Sequence, residues 1–238
     1  MTRIDDVVGS SLDPIDGVRD ARLDSSSMAK GSHATIVLCK TCSTSWDTEG
    51  RVCGRAEIPP SGEGLAELTI TLRDAGVESL RESIGMVYCA EDELSKRCAK
   101  IMGSSCNAKV KALSSYSELD VGLWEGVLKS DLNERFPRVY TTWVDDPGIV
   151  APPDGESLST VQGRILEQLG RSIRKSKSAH PTFALVLRPF AFAVLSCWIE
   201  NRPLSEIWDI LDEGSKIRVF SLDRAPAGLE QVGAPKIA

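Results

Sequence analysis

Histidine is nearly missing from this chain. There are two, His33 and His180, so a three-histidine metal centre within one chain is excluded. Positive charge is not in excess either: 28 Lys and Arg stand against 34 Asp and Glu, a net charge of −6. Nucleic-acid binding, which needs concentrated Lys and Arg against phosphates, is therefore not expected. Long apolar runs are lacking. The longest, 191–199, contains Ser196 and is far shorter than the roughly 20 residues of a spanning helix, so no membrane contact is expected. The opening residues MTRIDDVVGSSLDPIDG have neither the basic start nor the apolar stretch of a secretory signal. Cysteine is not scarce, but its number, seven, is odd. The expected setting is a reducing cytoplasm, with most thiols acting as small buried hydrophobes.

What is present is enough for a core, since 42% of the 238 residues are hydrophobic. Residues 1–32 are polar, rich in Asp, Ser and Gly, and without sustained period; they are read as a flexible arm. Residues 33–222 are read as one domain and 223–238, rich in Ala, Gly and Pro, as a tail. Short apolar runs predict strands at 34–39, 86–89, 110–113, 183–187 and 216–221. Helical spacing predicts helices over 65–80, 92–102 and 125–136, the last ending before Pro137. Others are expected from a cap at Ser157 to about residue 175, from about residue 190, and briefly near residue 204, with 145–154 a loop. Strands alternating with helices imply an α/β three-layer sandwich with a mostly parallel central sheet.

Ligands of such sheets sit beyond the C-terminal strand ends. If the strands involved are neighbours, Lys40, Thr41, Glu118 and Arg188 meet there. Lys40 and Arg188, with Arg51 and Arg55 as further cations, suit a phosphate or carboxylate. Cys39-Lys40-Thr41-Cys42 has the CxxC spacing of thiol–disulfide enzymes and zinc sites, and Cys53 and Cys89 are further thiols. It leads into a Ser/Thr/Gly-rich loop rather than a helix, and no second CxxC exists, so no metal is expected. Gly50, Gly54 and Gly62 do not form a phosphate-cradling run, and no GxSxG elbow is present. Trp46 and Trp124 are candidates to line a cleft, Trp198 and Trp208 to pack in the core.

The order of segments resembles the histidine phosphatase superfamily, in its phosphoglycerate-mutase-like branch. The stretch IVLCKTCSTSWDTEGRVCGRAEIPPSGEG stands where the family has a strand, Arg-His-Gly-Glu, Trp-Asn and Gly-Arg, with Trp46, Gly50, Arg51, Gly54, Pro59 and Gly64 in register. CAEDELSKRCA falls on the family's second landmark. SELDVGLWEG keeps Glu118, Gly122, Trp124, Glu125 and Gly126, while Pro153, Gly155, Glu156 and Ser157 match Pro-x-Gly-Glu-Ser. LVLRPF falls on the strand that ends in Ser-His-Gly-Gly. The resemblance spans about 34–221 and implies a phosphoglycerate-mutase-like fold.

It also implies catalytic positions, and these are altered. Thr41 stands for the nucleophilic histidine and Lys40 for the arginine before it. Leu94 stands for the arginine of the second landmark and Arg188 for the second histidine. Glu118, the family's proton donor, is kept. A threonine without a base is a poor nucleophile, and Leu94 brings no charge to a transferring phosphoryl group. The expected protein is a catalytically inactive phosphatase-like chain whose pocket of Lys40, Thr41, Arg51 and Arg188, reshaped by Leu94, Cys42 and Cys53, binds a small phosphorylated or anionic ligand, or which binds a protein partner. No cofactor is expected. The alternatives are a residual or altered phosphatase, a thiol-dependent enzyme using Cys39, Cys42 or Cys53, and a structural subunit of an assembly or homo-oligomer.

Overall fold

Successive residues of β1 (Ala34–Lys40) divide between two cores, because side chains on a strand alternate between the two faces of its sheet. Ile36 and Leu38 pack with one cluster, Val37 and Cys39 with another. The structure is a computed structural model that describes residues 34–178 and 180–222. The expected arm over 1–32 and the tail over 223–238 lie outside the described residues, as does His33.

The five-stranded sheet has the order β3-β2-β4-β1-β5, formed with β2 (Ile84–Cys89), β3 (Lys109–Ala112), β4 (Thr182–Leu187) and β5 (Ile217–Leu222). All neighbours are parallel except β5, which runs antiparallel to β1. Central β4 reads TFALVL and is buried on both faces, as a covered parallel strand requires. Edge strand β3 carries exposed Lys109 and Lys111, a composition that discourages pairing with another chain.

On one face lie α2 (Gly62–Asp74) and α3 (Glu93–Cys106), whose Leu68, Leu72, Cys98 and Met102 are buried against β1, β2 and β4. On the other lie α6 (Leu158–Lys175) and α7 (Pro189–Ile199), with Ile165, Leu169 and Phe192 in the core. The Ser157 cap of α6 forms as expected, its hydroxyl accepting from Thr160 N–H.

Several boundaries differ from expectation. The helix expected over 65–80 stops at Asp74; Gly76 adopts φ 67° and a 3-10 turn covers Val77–Leu80. The helix expected over 125–136 is confined to α4 (Lys129–Arg135). Residues 126 and 127 instead pair with the loop after β1, Gly126 N–H donating to Val52 O and Val52 N–H to Val127 O, both at 2.9 Å. Pro137 does not lead the chain out of helix. It opens another, α5 (Pro137–Asp145), because its fixed φ and missing N–H suit the first helical position. A 3-10 turn, Pro147–Ile149, occupies part of the expected loop. The short α1 (Ser45–Glu49) and α8 (Ile207–Asp212) complete the helices used below.

Candidate functional site

Parallel pairing of β1 with β4 puts Lys40 opposite Leu187, so the chain leaves both strands at one place. Thr41 N–H donates to Leu187 O at 2.9 Å, which seats Thr41 against Arg188. This is the crevice where strand order departs from chain order, the expected ligand position of an open α/β sheet. A cavity of about 460 Å³ opens there. Lys40, Thr41, Cys42, Arg51, Cys53, Leu94 and Arg188 all line it.

The cations differ in how far they are already committed. Arg188 is 2% exposed. Its Nη1 donates to Ala56 O at 3.0 Å and its Nη2 to Cys53 Sγ at 2.9 Å, while its buried Nε has no partner. Arg51 pairs with Glu49 at 2.6 Å and donates to Gly126 O at 2.7 Å. Arg55 does not line the cavity; it bridges Asp120 and Glu156 at 3.2 and 2.7 Å and so serves the loop. Lys40 is half-buried, its ammonium 6.0 Å from the Phe192 ring centroid. Burial first, then Lys216, lower its proton affinity. Thr41 is 3% exposed and its hydroxyl has no partner.

Glu118 is set behind the cavity rather than in its wall. Its carboxylate accepts from Leu119, Phe190 and Ala191 N–H at 2.7–2.9 Å. It therefore takes the N–H groups of Phe190 and Ala191 that the first turn of α7 leaves without intrahelical partners, Pro189 before them having none. Burial pushes its carboxyl up to about 7, against the opposing pull of Arg188 and the three N–H donors. A carboxylate so placed orients the turn that carries Arg188 and occupies the helix terminus that an incoming anion would otherwise use.

Arg164 and Glu156 hold this arrangement from below. Arg164 donates to Ser115, Ser117 and Glu118 carbonyls at 3.0, 2.6 and 2.9 Å, and to Glu156 at 2.7 Å. Glu156 also accepts from Asp120 N–H and Arg55.

The tryptophan expectation is reversed in part. Trp124 is buried against Trp143 and Trp46 lies over Gly126; neither lines the cavity. Trp143 and Trp208 do, with Tyr140 and Phe190. Trp143 and Trp208 meet edge to face at 5.6 Å, and Trp208 Nε1–H donates to Trp143 O at 2.9 Å. Sequence reading missed them as one cavity wall because they come from α5, α7 and α8, which lie far apart in the chain; Trp208 packs against the core as well.

All seven cysteines are free thiols. Cys39 does not pair with Cys42: its thiol turns to Lys40 O at 3.4 Å, while the sulfur nearest Cys42 is that of Cys98, at 3.5 Å. Burial pushes Cys39 up to about 12 and Cys53 up to about 11. Among the described residues no group of three or more His, Cys, Asp or Glu side chains is placed to hold a metal ion, and no helix is long and apolar enough to cross a membrane.

The family model for branch 1 of the histidine phosphatase superfamily matches residues 36–231. Phosphoserine phosphatase 1 of Hydrogenobacter thermophilus is 22% identical over 188 residues, covering 79% of this chain and 86% of that one. A metal-independent phosphoserine phosphatase of Arabidopsis thaliana is 23% identical over 165 residues, 68% of each chain. Among solved structures, YhfR of Bacillus stearothermophilus has a TM-score of 0.65 at 20% identity, covering 74% of this chain and 84% of that one. A mycobacterial glucosyl-3-phosphoglycerate phosphatase bound to VO3 has a TM-score of 0.62 at 20% identity, covering 73% and 85%. At these identities the structures speak for the fold alone, an α/β fold with a mostly parallel sheet between helices. With its model spanning most of the described residues, the chain belongs to branch 1 of the histidine phosphatase superfamily.

Proposed function

We propose that this protein is a catalytically inactive member of its family that binds a small phosphorylated or otherwise anionic ligand in the cavity at the ends of β1 and β4. The observation that carries the reading is a pair of buried, unpartnered donors, Thr41 Oγ1 and Arg188 Nε, on two residues that line the cavity. Buried polar groups are nearly always satisfied, and an orphan beside open space asks for a ligand. Lys40 supports it: an anion would offset the repulsion from Lys216 and Arg218 that now lowers its proton affinity. Asp212, exposed on the rim, works against a dianion and keeps the expected affinity modest.

Inactivity follows from the landmark positions. Thr41 stands where the family attacks phosphorus, and no base lies within hydrogen-bond reach of its hydroxyl. Leu94 contributes an apolar wall where the family places an arginine. Glu118 is held by three N–H groups as a positioning residue. The thiol alternative is weaker, since burial raises Cys39 and Cys53 away from the thiolate at neutral pH. The aromatic wall of Tyr140, Trp143, Phe190 and Trp208 favours a ligand with an apolar body beside its anionic head.

The test is calorimetric titration with inorganic phosphate, phosphoserine and p-nitrophenyl phosphate. One site per chain is expected, with p-nitrophenyl phosphate preferred over inorganic phosphate and no turnover above background. Arg188→Ala should weaken binding roughly ten- to a hundredfold, the worth of one charge-assisted hydrogen bond. Thr41→Val, which removes only the hydroxyl, should weaken it less. No binding below about 10 mM, unchanged affinity in both variants, or turnover abolished by Thr41→Val would each overturn the reading.

A further inference from the structure

We infer that Cys42 and Cys98 are a redox-sensitive pair that closes into a reversible intramolecular disulfide on exposure to a peroxide, tying the segment after β1 to α3 at the cavity wall. The two sulfurs lie 3.5 Å apart, and Cys42 N–H also points at the Cys98 sulfur from 3.5 Å. They are in contact across two separate elements, so a bond between them needs a small approach and no rearrangement of the fold.

Access and isolation support the pairing. Cys42 is buried but lines the cavity, whereas Cys98 is 0% exposed and lies behind it, in contact with Cys42. Leu94, one turn before Cys98 on the same face of α3, lines the cavity too, which places this face of the helix against its wall. Gly64 lies close on the other side: a Cβ there would come within 3.2 Å of Cys42 Cβ. The shared hydrogen bond between the thiols holds Cys98 below the usual thiol range, with burial opposing. Cys39, Cys53 and Cys106 hydrogen-bond elsewhere: Cys39 to Lys40 O, Cys106 to Met102 O, while Cys53 accepts from Arg188.

The chemistry balances with peroxide as the two-electron oxidant. One sulfur attacks a peroxide oxygen, the O–O bond breaks and water leaves, giving a sulfenic acid. The second sulfur then displaces that oxygen as another water while the S–S bond forms. Each cysteine loses its thiol hydrogen, and a dithiol reductant reverses the change.

The experiment treats the reduced full chain with hydrogen peroxide, blocks remaining thiols, and maps tryptic peptides without reduction. Peptide 41–51 should be found joined to 98–100. Each contains one cysteine, so the assignment is unambiguous. Thiols counted under denaturing conditions should fall by two from seven and recover with dithiothreitol. The thermal midpoint of the oxidised chain should rise roughly 5–10 °C. Cys39→Ser should leave the cross-link intact, and Cys98→Ser should abolish it. Because a serine at buried position 98 can destabilise the fold on its own, the peptide map of the native chain is the deciding readout. Joining of 41–51 to 31–40, which carries Cys39, or recovery of both peptides unlinked after peroxide, overturns the inference.

Discussion

Replacing Arg164 with methionine should cost about 2–3 kcal/mol of stability, because carbonyls behind the loop lose a charged donor while Glu156 keeps Arg55 as a partner. The Arg164 and Glu156 side chains are 20% and 14% exposed, so solvent screens their pairing at 2.7 Å only weakly. Loss of the guanidinium also leaves the carbonyls of Ser115 and Ser117 without this donor, and that of Glu118 with Arg55 alone. Those residues lead into the tight loop where Gly122 takes φ 50°, leaving no room for a Cβ beside Pro153 O. Arg164→Lys should recover only part of the loss, because one ammonium cannot span a carboxylate and three carbonyls as the planar fork does. Denaturant unfolding of both variants checks this. A change below about 1 kcal/mol in the methionine variant would mean that the pair behaves as an exposed one.

Glu118 should make the protein less stable as pH rises towards neutrality. Its carboxyl lies at about 7 in the fold against an ordinary value of 4.5. Between those values the folded chain holds a proton that the unfolded chain releases, so stability from this group is full below 4.5, falls as pH rises through 7, and is level above. Between pH 5 and 8 the loss should be about 2–3 kcal/mol. Glu118→Gln removes the titration, so the stability difference between native chain and variant should shift by that amount over the same interval. Identical pH slopes in the two proteins would show that Glu118 is ionised throughout, with its three N–H donors and Arg188 outweighing burial. The variant carries its own cost, since its amide nitrogen must face one of those N–H groups.

The strands, the fold class and the strand-end residues Lys40, Thr41 and Arg188 were legible in the sequence, whereas the aromatic wall of the cavity was not. Apolar runs such as TFALVL at 182–187 can be satisfied only by burial on both faces. The spacing of Trp46, Gly50, Arg51 and the later landmarks carried the family because turns and close approaches tolerate few residue types. Helix ends were less legible. Residues 125–128 were drawn into the expected helix, yet Gly126 takes φ 75° and the loop at 50–54 offers them backbone partners, and Pro137 stops or starts a helix according to where its neighbours lie.

Which of those residues share a site depends on the adjacency of β1 and β4, a property of strand order, not of chain order. That adjacency seats Thr41 beside Arg188. It also sets Glu118 at the start of α7 instead of in the cavity wall, since three backbone N–H groups outcompete water for a buried carboxylate. The partner of Cys42 shows the same limit. Cys39 is near in sequence, but β1 and the turn after it give the two thiols different neighbours, and packing of α3 on β2 and β4 brings Cys98 to Cys42. Contacts between elements distant in the chain are set by how the two faces of the sheet are covered, and local pattern does not encode them.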